Sequence, residues 1–192
     1  TVVWSGQYQY IEEAEARLRI VVPITLLVIV LLLYLTFRSV TKVCIVMLTL
    51  PFAVVGGIWF MWLLGYNMSV AVMVGFIALA GVATEIGVVM IVYLDHAFEA
   101  RRADAQRLDA AALHQAVMAG AGERVRPIVM TGTAVIAGLL PIMWSNEPGA
   151  RVMKRIAAPM VGGMISATVL ALVIVPIVYA IWRSWQPRNE AA

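Results

Sequence analysis

Ile20-Val-Val-Pro-Ile-Thr-Leu-Leu-Val-Ile-Val-Leu-Leu-Leu-Tyr-Leu-Thr-Phe37 runs without a charged side chain from end to end. At about 1.5 Å per residue a helix of this length covers most of the ~30 Å hydrocarbon core of a bilayer. Similar runs follow at Val43–Leu64, Val70–Leu94, Pro127–Trp144 and Ile156–Trp182. Membrane β-strands are short and alternate in polarity, so runs of this length predict helices. The expected fold is an all-α integral membrane protein, a bundle of five transmembrane helices.

Composition agrees. Of 192 residues, 62% are hydrophobic and only 13% charged, and the mean hydropathy is +0.91. A soluble domain of this size keeps too much surface to hide that many apolar side chains. Soluble enzymes, nucleic-acid readers and disordered tails are excluded. The formal charge of +3 reads as membrane orientation, and nucleic acid is not an expected partner. Cys44 is the single cysteine, so no internal disulfide can form. The start at Thr1 lacks the basic and apolar regions of a signal peptide and reads like the interior of a longer protein.

An odd number of spans places the two ends on opposite sides. With the N-terminus outside, Arg38, Lys42, Arg101, Arg102, Arg107, Arg124, Arg126, Arg183 and Arg188 fall inside, against Arg17, Arg19, Arg151, Lys154 and Arg155 outside. The positive-inside rule favours that orientation. The long polar connection, residues 95–126, has an Ala-rich centre with Leu108, Ala112 and Ala116 at four-residue spacing. It predicts an amphipathic helix, ended by Gly120 and Gly122 before Pro127 opens the fourth span. Its ordinary place is the cytoplasmic membrane surface; docking of a partner is the alternative. Pro51, Pro141, Pro159 and Pro176 fall in or beside spans and can kink them, and the paired glycines Gly56-Gly57 and Gly162-Gly163 predict close helix contacts.

Glu85 lies near the middle of the third span, where a charged carboxylate facing lipid costs about 2.5–3.5 kcal/mol. Such a group has two protonation states suited to different surroundings, which is what a proton carrier needs. A neutral Glu bonded to a helix carbonyl is the structural alternative. Thr84, Thr131 and Thr133 could join a relay, although mid-membrane threonines commonly bond their own backbone. Methionine is abundant, at 11 residues. Met153, Met160 and Met164, seven and four residues apart, share one helical stripe, and thioethers suit Cu(I) and Ag(I). The same stripe also suits adaptable core packing. Cys44 could join a soft site or fill apolar space. Hydrolytic, phosphate-loop and zinc motifs are missing from the sequence, and His96 and His114 read as solvated.

Several stretches resemble the resistance-nodulation-division (RND) transporters, in their heavy-metal efflux branch of CusA-like pumps. Pro51-Phe-Ala-Val-Val-Gly-Gly57, Gly65-Tyr-Asn-Met-Ser69 and Arg124-Val-Arg-Pro-Ile-Val-Met-Thr131 resemble the superfamily. Trp4-Ser-Gly-Gln7, Ala80-Gly-Val-Ala-Thr-Glu-Ile-Gly-Val-Val-Met90, Val152-Met-Lys-Arg-Ile-Ala-Ala-Pro-Met160 and Gly162-Gly-Met164 resemble the branch. The resemblance implies a proton/metal antiporter with no resident cofactor, not an enzyme, exporting Cu(I) and Ag(I). It implies a homotrimer in the bacterial inner membrane, working with a periplasmic adaptor (membrane fusion) protein and an outer-membrane channel. This chain would be the C-terminal part of the membrane domain and is not expected to transport alone. Residues 1–18 would end a periplasmic domain, 19–94 would hold the first three spans, 95–126 a cytoplasmic connection, 127–182 the last two spans and 183–192 a cytoplasmic tail.

By the same resemblance Glu85 falls on the branch's relay acid; Thr131 remains a candidate relay hydroxyl read from the residues alone. Met153 falls on a metal-passing methionine at the outer end of the last span; Met160 and Met164 are not marked as ligands. The branch carries a lysine where this chain has Ile128, so either the relay pairs Glu85 with an acid outside this chain or this member has lost efficient coupling. A divalent zinc, cobalt or nickel pump is the first alternative, and a truncated membrane protein with a structural or assembly role is the second. A drug-exporting RND member would carry lysine in place of Glu85.

Overall fold

The computed structural model describes residues 7–104, 110–147 and 149–185. Five helices account for most of them: α1 (Gln7–Phe37), α2 (Val40–Leu63), α3 (Val70–Asp104), α4 (Ala110–Trp144) and α5 (Ala150–Trp185). Each contains a stretch long and apolar enough to cross a membrane, as the five runs predict. They alternate in direction. The α1–α2 turn at Arg38, the α3–α4 connection and the end of α5 therefore share one side, called here the Arg38 end. The turns after α2 and α4 share the other, the Gly65 end.

Two turns show how the chain reverses. Leu64, Gly65 and Tyr66 close α2 with a Schellman motif: the Tyr66 N–H bonds the Met61 carbonyl at 3.0 Å and the Gly65 N–H that of Trp62 at 3.1 Å. Gly65 takes a φ of +68°, which glycine adopts without the penalty a Cβ brings. At the other end Arg38 has a φ of +49° and its N–H reaches the Tyr34 carbonyl at 2.8 Å. Ser39 then extends to start α2.

α5 lies among α2, α3 and α4, while α1 stands at the margin with light contacts to α2 and α3. Small residues let the backbones meet. A Cβ placed on Gly162 would come within 2.2 Å of Phe60 Cβ and 2.7 Å of the Gly56 carbonyl oxygen. On Gly75 it would lie 2.4 Å from the Ile156 carbonyl oxygen. Between apolar helices in lipid, close van der Waals packing of this kind is the principal attraction. Leu79, Met90, Ile91, Leu94, Met164 and Tyr179 form the fully buried centre. Trp59, Trp62 and Trp144 are exposed at the Gly65 end and Trp185 at the Arg38 end, the positions of two interfacial belts.

One expectation is corrected. Gly120 and Gly122 do not end a helix, and Pro127 does not open one: α4 runs unbroken from Ala110 to Trp144. Gly120 is a contact residue, because a Cβ there would meet Ala97 Cβ at 2.9 Å and the Tyr93 carbonyl oxygen at 3.0 Å. The amphipathic character is real, with Ala116 and Val117 buried and His114 exposed. Its apolar side is covered by the extended α3, as an antiparallel hairpin, and not by a membrane surface. Leu108 lies outside the described residues, as do the side chain of Ala112 and residues 186–192 of the tail.

Candidate functional site

The register of α3 decides where Glu85 points. Ala83 and Gly87, four residues apart, form the face against α2, where Thr49 Oγ1 donates to the Val46 carbonyl at 2.7 Å and approaches that of Ala83 at 3.5 Å. Thr84 turns back on its own helix, donating to the Ala80 carbonyl at 2.8 Å, as mid-membrane threonines commonly do. Glu85 lies on another side of the helix and is exposed. One turn earlier, a Cβ on Gly81 would meet nothing within 4 Å. The helix therefore presents an open side in mid-span, about 22 Å along α3 from Val70, with a carboxylate on it. Glu85 has no hydrogen-bond or ion-pair partner among the described residues.

Thr131 on α4 is exposed as well, but no hydrogen bond links it to Glu85. Ile128, one turn before it, is 4% exposed and belongs to the main apolar core. An ammonium there would be buried among aliphatic side chains, so this core is built for isoleucine and offers Glu85 no cation.

The three methionines share the expected stripe on α5 and differ in depth. Met153, in the first turn, is 49% exposed; Met160 is half-buried; Met164 is fully buried, facing Gly132 of α4. The rise of about 10 Å from Met153 to Met160 sets Met153 apart from the deeper pair, which lies one turn apart. The stripe passes from the surface of the Gly65 end into the core. Cys44 is exposed and lies near the Arg38 end, so it neither fills the core nor joins the methionines. His96 and His114 are exposed. Among the described residues no group of three His, Cys, Asp or Glu could hold a metal ion.

Sequence reasoning missed a second polar cluster. Asp95, treated as the start of a solvated connection, is 8% exposed. Lys42 Nζ of α2 donates to its Oδ2 at 2.5 Å, and the Tyr179 hydroxyl of α5 donates to its Oδ1 at 2.7 Å. Arg183 reaches the same oxygen at 3.4 Å. The signal was available in the spacing: Asp95 continues the buried series Ala83, Gly87, Ile91 by one more turn, and a carboxylate in that register requires counter-charges.

A bundle of five membrane-length helices, with an acid in mid-span that has no partner among the described residues, defines a polytopic integral membrane protein. The chain belongs to the AcrB/AcrD/AcrF family, which it matches over residues 1–183, and within the RND superfamily it is a CusA-like member of the heavy-metal efflux branch. It is 49% identical over 197 residues to the cation efflux system protein CusA of Escherichia coli (strain K12), covering 99% of this chain and 18% of that protein. It is 35% identical over 178 residues to the cobalt-zinc-cadmium resistance protein CzcA of Cupriavidus metallidurans, covering 93% of this chain and 16% of that one. A crystal structure of a heavy metal efflux pump superposes with a TM-score of 0.78 at 34% identity, over 93% of this chain and 17% of the other. The chain thus spans less than a fifth of the length of the relatives it matches.

Proposed function

We propose that these five helices are part of the membrane domain of a proton-driven pump that exports Cu(I) and Ag(I), and that Glu85 is its proton-carrying acid on this side of the membrane domain. The observation that carries the reading is the position of Glu85, exposed on the open side of α3 in mid-span and without a partner among the described residues. A carboxylate facing lipid costs about 2.5–3.5 kcal/mol, so the charged form calls for a polar partner or a water path beyond these helices. The protonated form tolerates an apolar surface. Proton occupancy therefore biases the bundle between two arrangements, and that difference in preference is the driving term a coupled transporter needs.

With Ile128 in the core, the partner acid comes from outside the five helices, and Thr131 supplies a hydroxyl beside the path. The excess of Lys and Arg at the Arg38 end supports a cytoplasmic Arg38 end and a periplasmic N-terminus in the inner membrane. Met153 then lies exposed at the periplasmic end of α5, where its soft sulfur hands Cu(I) or Ag(I) outward. Met160 and Met164 lie deeper on the same stripe, beyond a single site with Met153. The assembly is a homotrimer that docks a periplasmic adaptor protein and an outer-membrane channel. The likeness to CzcA, whose name records cobalt, zinc and cadmium, supports a second reading as a divalent-cation pump. Thioether is a poor match for those ions, which favour nitrogen and oxygen ligands.

The test is the full-length pump in proteoliposomes under an imposed proton gradient. Glu85→Gln is expected to lower Ag(I) flux by at least about tenfold, in keeping with the loss of a proton-transfer group. Undiminished proton-driven flux would overturn the relay role, and equal transport of Zn(II) and Ag(I) would overturn the metal assignment.

A further inference from the structure

Asp95 is the meeting point of three helices. Its two carboxylate oxygens take donors from α2, through Lys42, and from α5, through Tyr179 and Arg183. Arg183 is itself fixed: its Nε lies 3.3 Å from the Tyr179 hydroxyl, and its guanidinium sits over the Phe98 ring at 4.2 Å and the Trp182 ring at 4.9 Å. Lys42, Asp95 and Arg183 keep only 12–17% of their side-chain surface. Lipid or loosely held water does not supply these contacts; the protein does.

Toward the opposite end, the same three helices meet without charges. Gly75 of α3 approaches the Ile156 carbonyl and Pro159 of α5, and Gly56 of α2 approaches the Gly162 carbonyl of α5. Glu85 is ten residues from Gly75 and ten from Asp95, so it lies about 15 Å from each of the two points where α3 is held. A helix fixed on both sides of its acid cannot roll or slide locally when that acid gains or loses a proton.

We infer that Asp95 is a positioning residue, which ties the ends of α2, α3 and α5 into one body so that a protonation event at Glu85 moves all three together. This rests on the proposed role of Glu85. Alternating access commonly works by rigid-body rocking of one bundle against another, and a tie of this kind converts a local change into such a motion. α1 is outside the tied set, because none of its described side chains bonds another helix.

The experiment uses the full-length pump in proteoliposomes, measuring Ag(I) flux and proton flux together. Asp95→Asn is expected to lower turnover several-fold at unchanged KM for Ag(I), and to raise the protons moved per ion as coupling slips, while Asp95→Glu stays within about twofold of the parent. Spin labels at Ala100 of α3 and Ser184 of α5, both exposed, give a readout independent of flux. Their distance distribution should be narrow in the parent and broadened by Asp95→Asn and by Tyr179→Phe, which removes one donor and keeps the ring. Unchanged stoichiometry and an unchanged distribution, with Glu85→Gln inactive, would overturn the tie and leave the relay standing. A fully active Glu85→Gln pump would instead remove the relay on which the tie depends. Should Asp95→Asn fail to accumulate, the distribution in Tyr179→Phe decides alone: broadening supports the tie and an unchanged width overturns it.

Discussion

Glu85 and Asp95 are carboxylates on one helix, ten residues apart, and the structure treats them in opposite ways. Asp95 is buried and receives donors from two neighbouring helices; Glu85 is exposed and receives none from the described residues. Ten residues turn a helix through nearly three full turns but not a whole number, so the two side chains leave the axis about 80° apart. That angle separates the packed face of α3 from its open one. An acid set into the packed face is held by its partners and becomes part of the framework. An acid on the open face has no fixed partner and is available to exchange one.

The largest expected difference between them is in stability. Asp95→Ala removes the carboxylate that Lys42, Tyr179 and Arg183 share, and breaking a buried pair from one side costs about 3–5 kcal/mol. Glu85→Ala removes a group that touches no described partner and should stay within about 0.5 kcal/mol. Denaturant titration of the detergent-solubilised full-length protein, followed by Trp fluorescence, measures both. Equal losses would mean that Glu85 is also a structural residue, fixed by chain beyond these helices.

A smaller effect separates the two ways the helices are held. Gly162→Ala places a methyl 2.2 Å from Phe60 Cβ and 2.7 Å from the Gly56 carbonyl oxygen. Neither is the flexible end of a side chain, so α2 and α5 must part, at a cost of about 1–3 kcal/mol. The same titration reads it. A neutral result would show that the glycine contact is loose and that the polar cluster alone keeps α2 on α5.

The sequence carried the number of helices and their composition because lipid exposure demands uninterrupted apolar runs, and such runs are local. It carried Glu85 for the same reason, as a single charge within one run. Asp95 escaped notice because its partners are 53, 84 and 88 residues away, and each of Lys42, Tyr179 and Arg183 looked ordinary in its own segment. Lys42 and Arg183 were legible only as topology signals. Gly120 misled for a related reason: locally a glycine weakens a helix, while its use here, admitting the backbone of Tyr93 and Leu94, is visible only once α3 lies alongside. The depth of Met164 likewise depends on Gly132 from another helix.

The smallest expected effect bears on what covers Glu85. Gly81 lies one turn from it on the same open side, and a Cβ there meets nothing within 4 Å among the five helices. Gly122, on α4, is equally open. In an isolated helix, alanine in place of glycine is favoured by about 0.5–1 kcal/mol, through backbone entropy. Gly122→Ala should therefore be neutral or slightly stabilising. Gly81→Ala should differ from it in the full-length pump, because a partner acid that reaches Glu85 must arrive on a helix packed close to Gly81. A methyl in that contact is expected to reverse the sign and cost about 1 kcal/mol. If Gly81→Ala instead stabilises as much as Gly122→Ala, the open side of α3 faces lipid. Glu85 would then have no approaching helix from which to take a partner, and its exposure would have to be met by water.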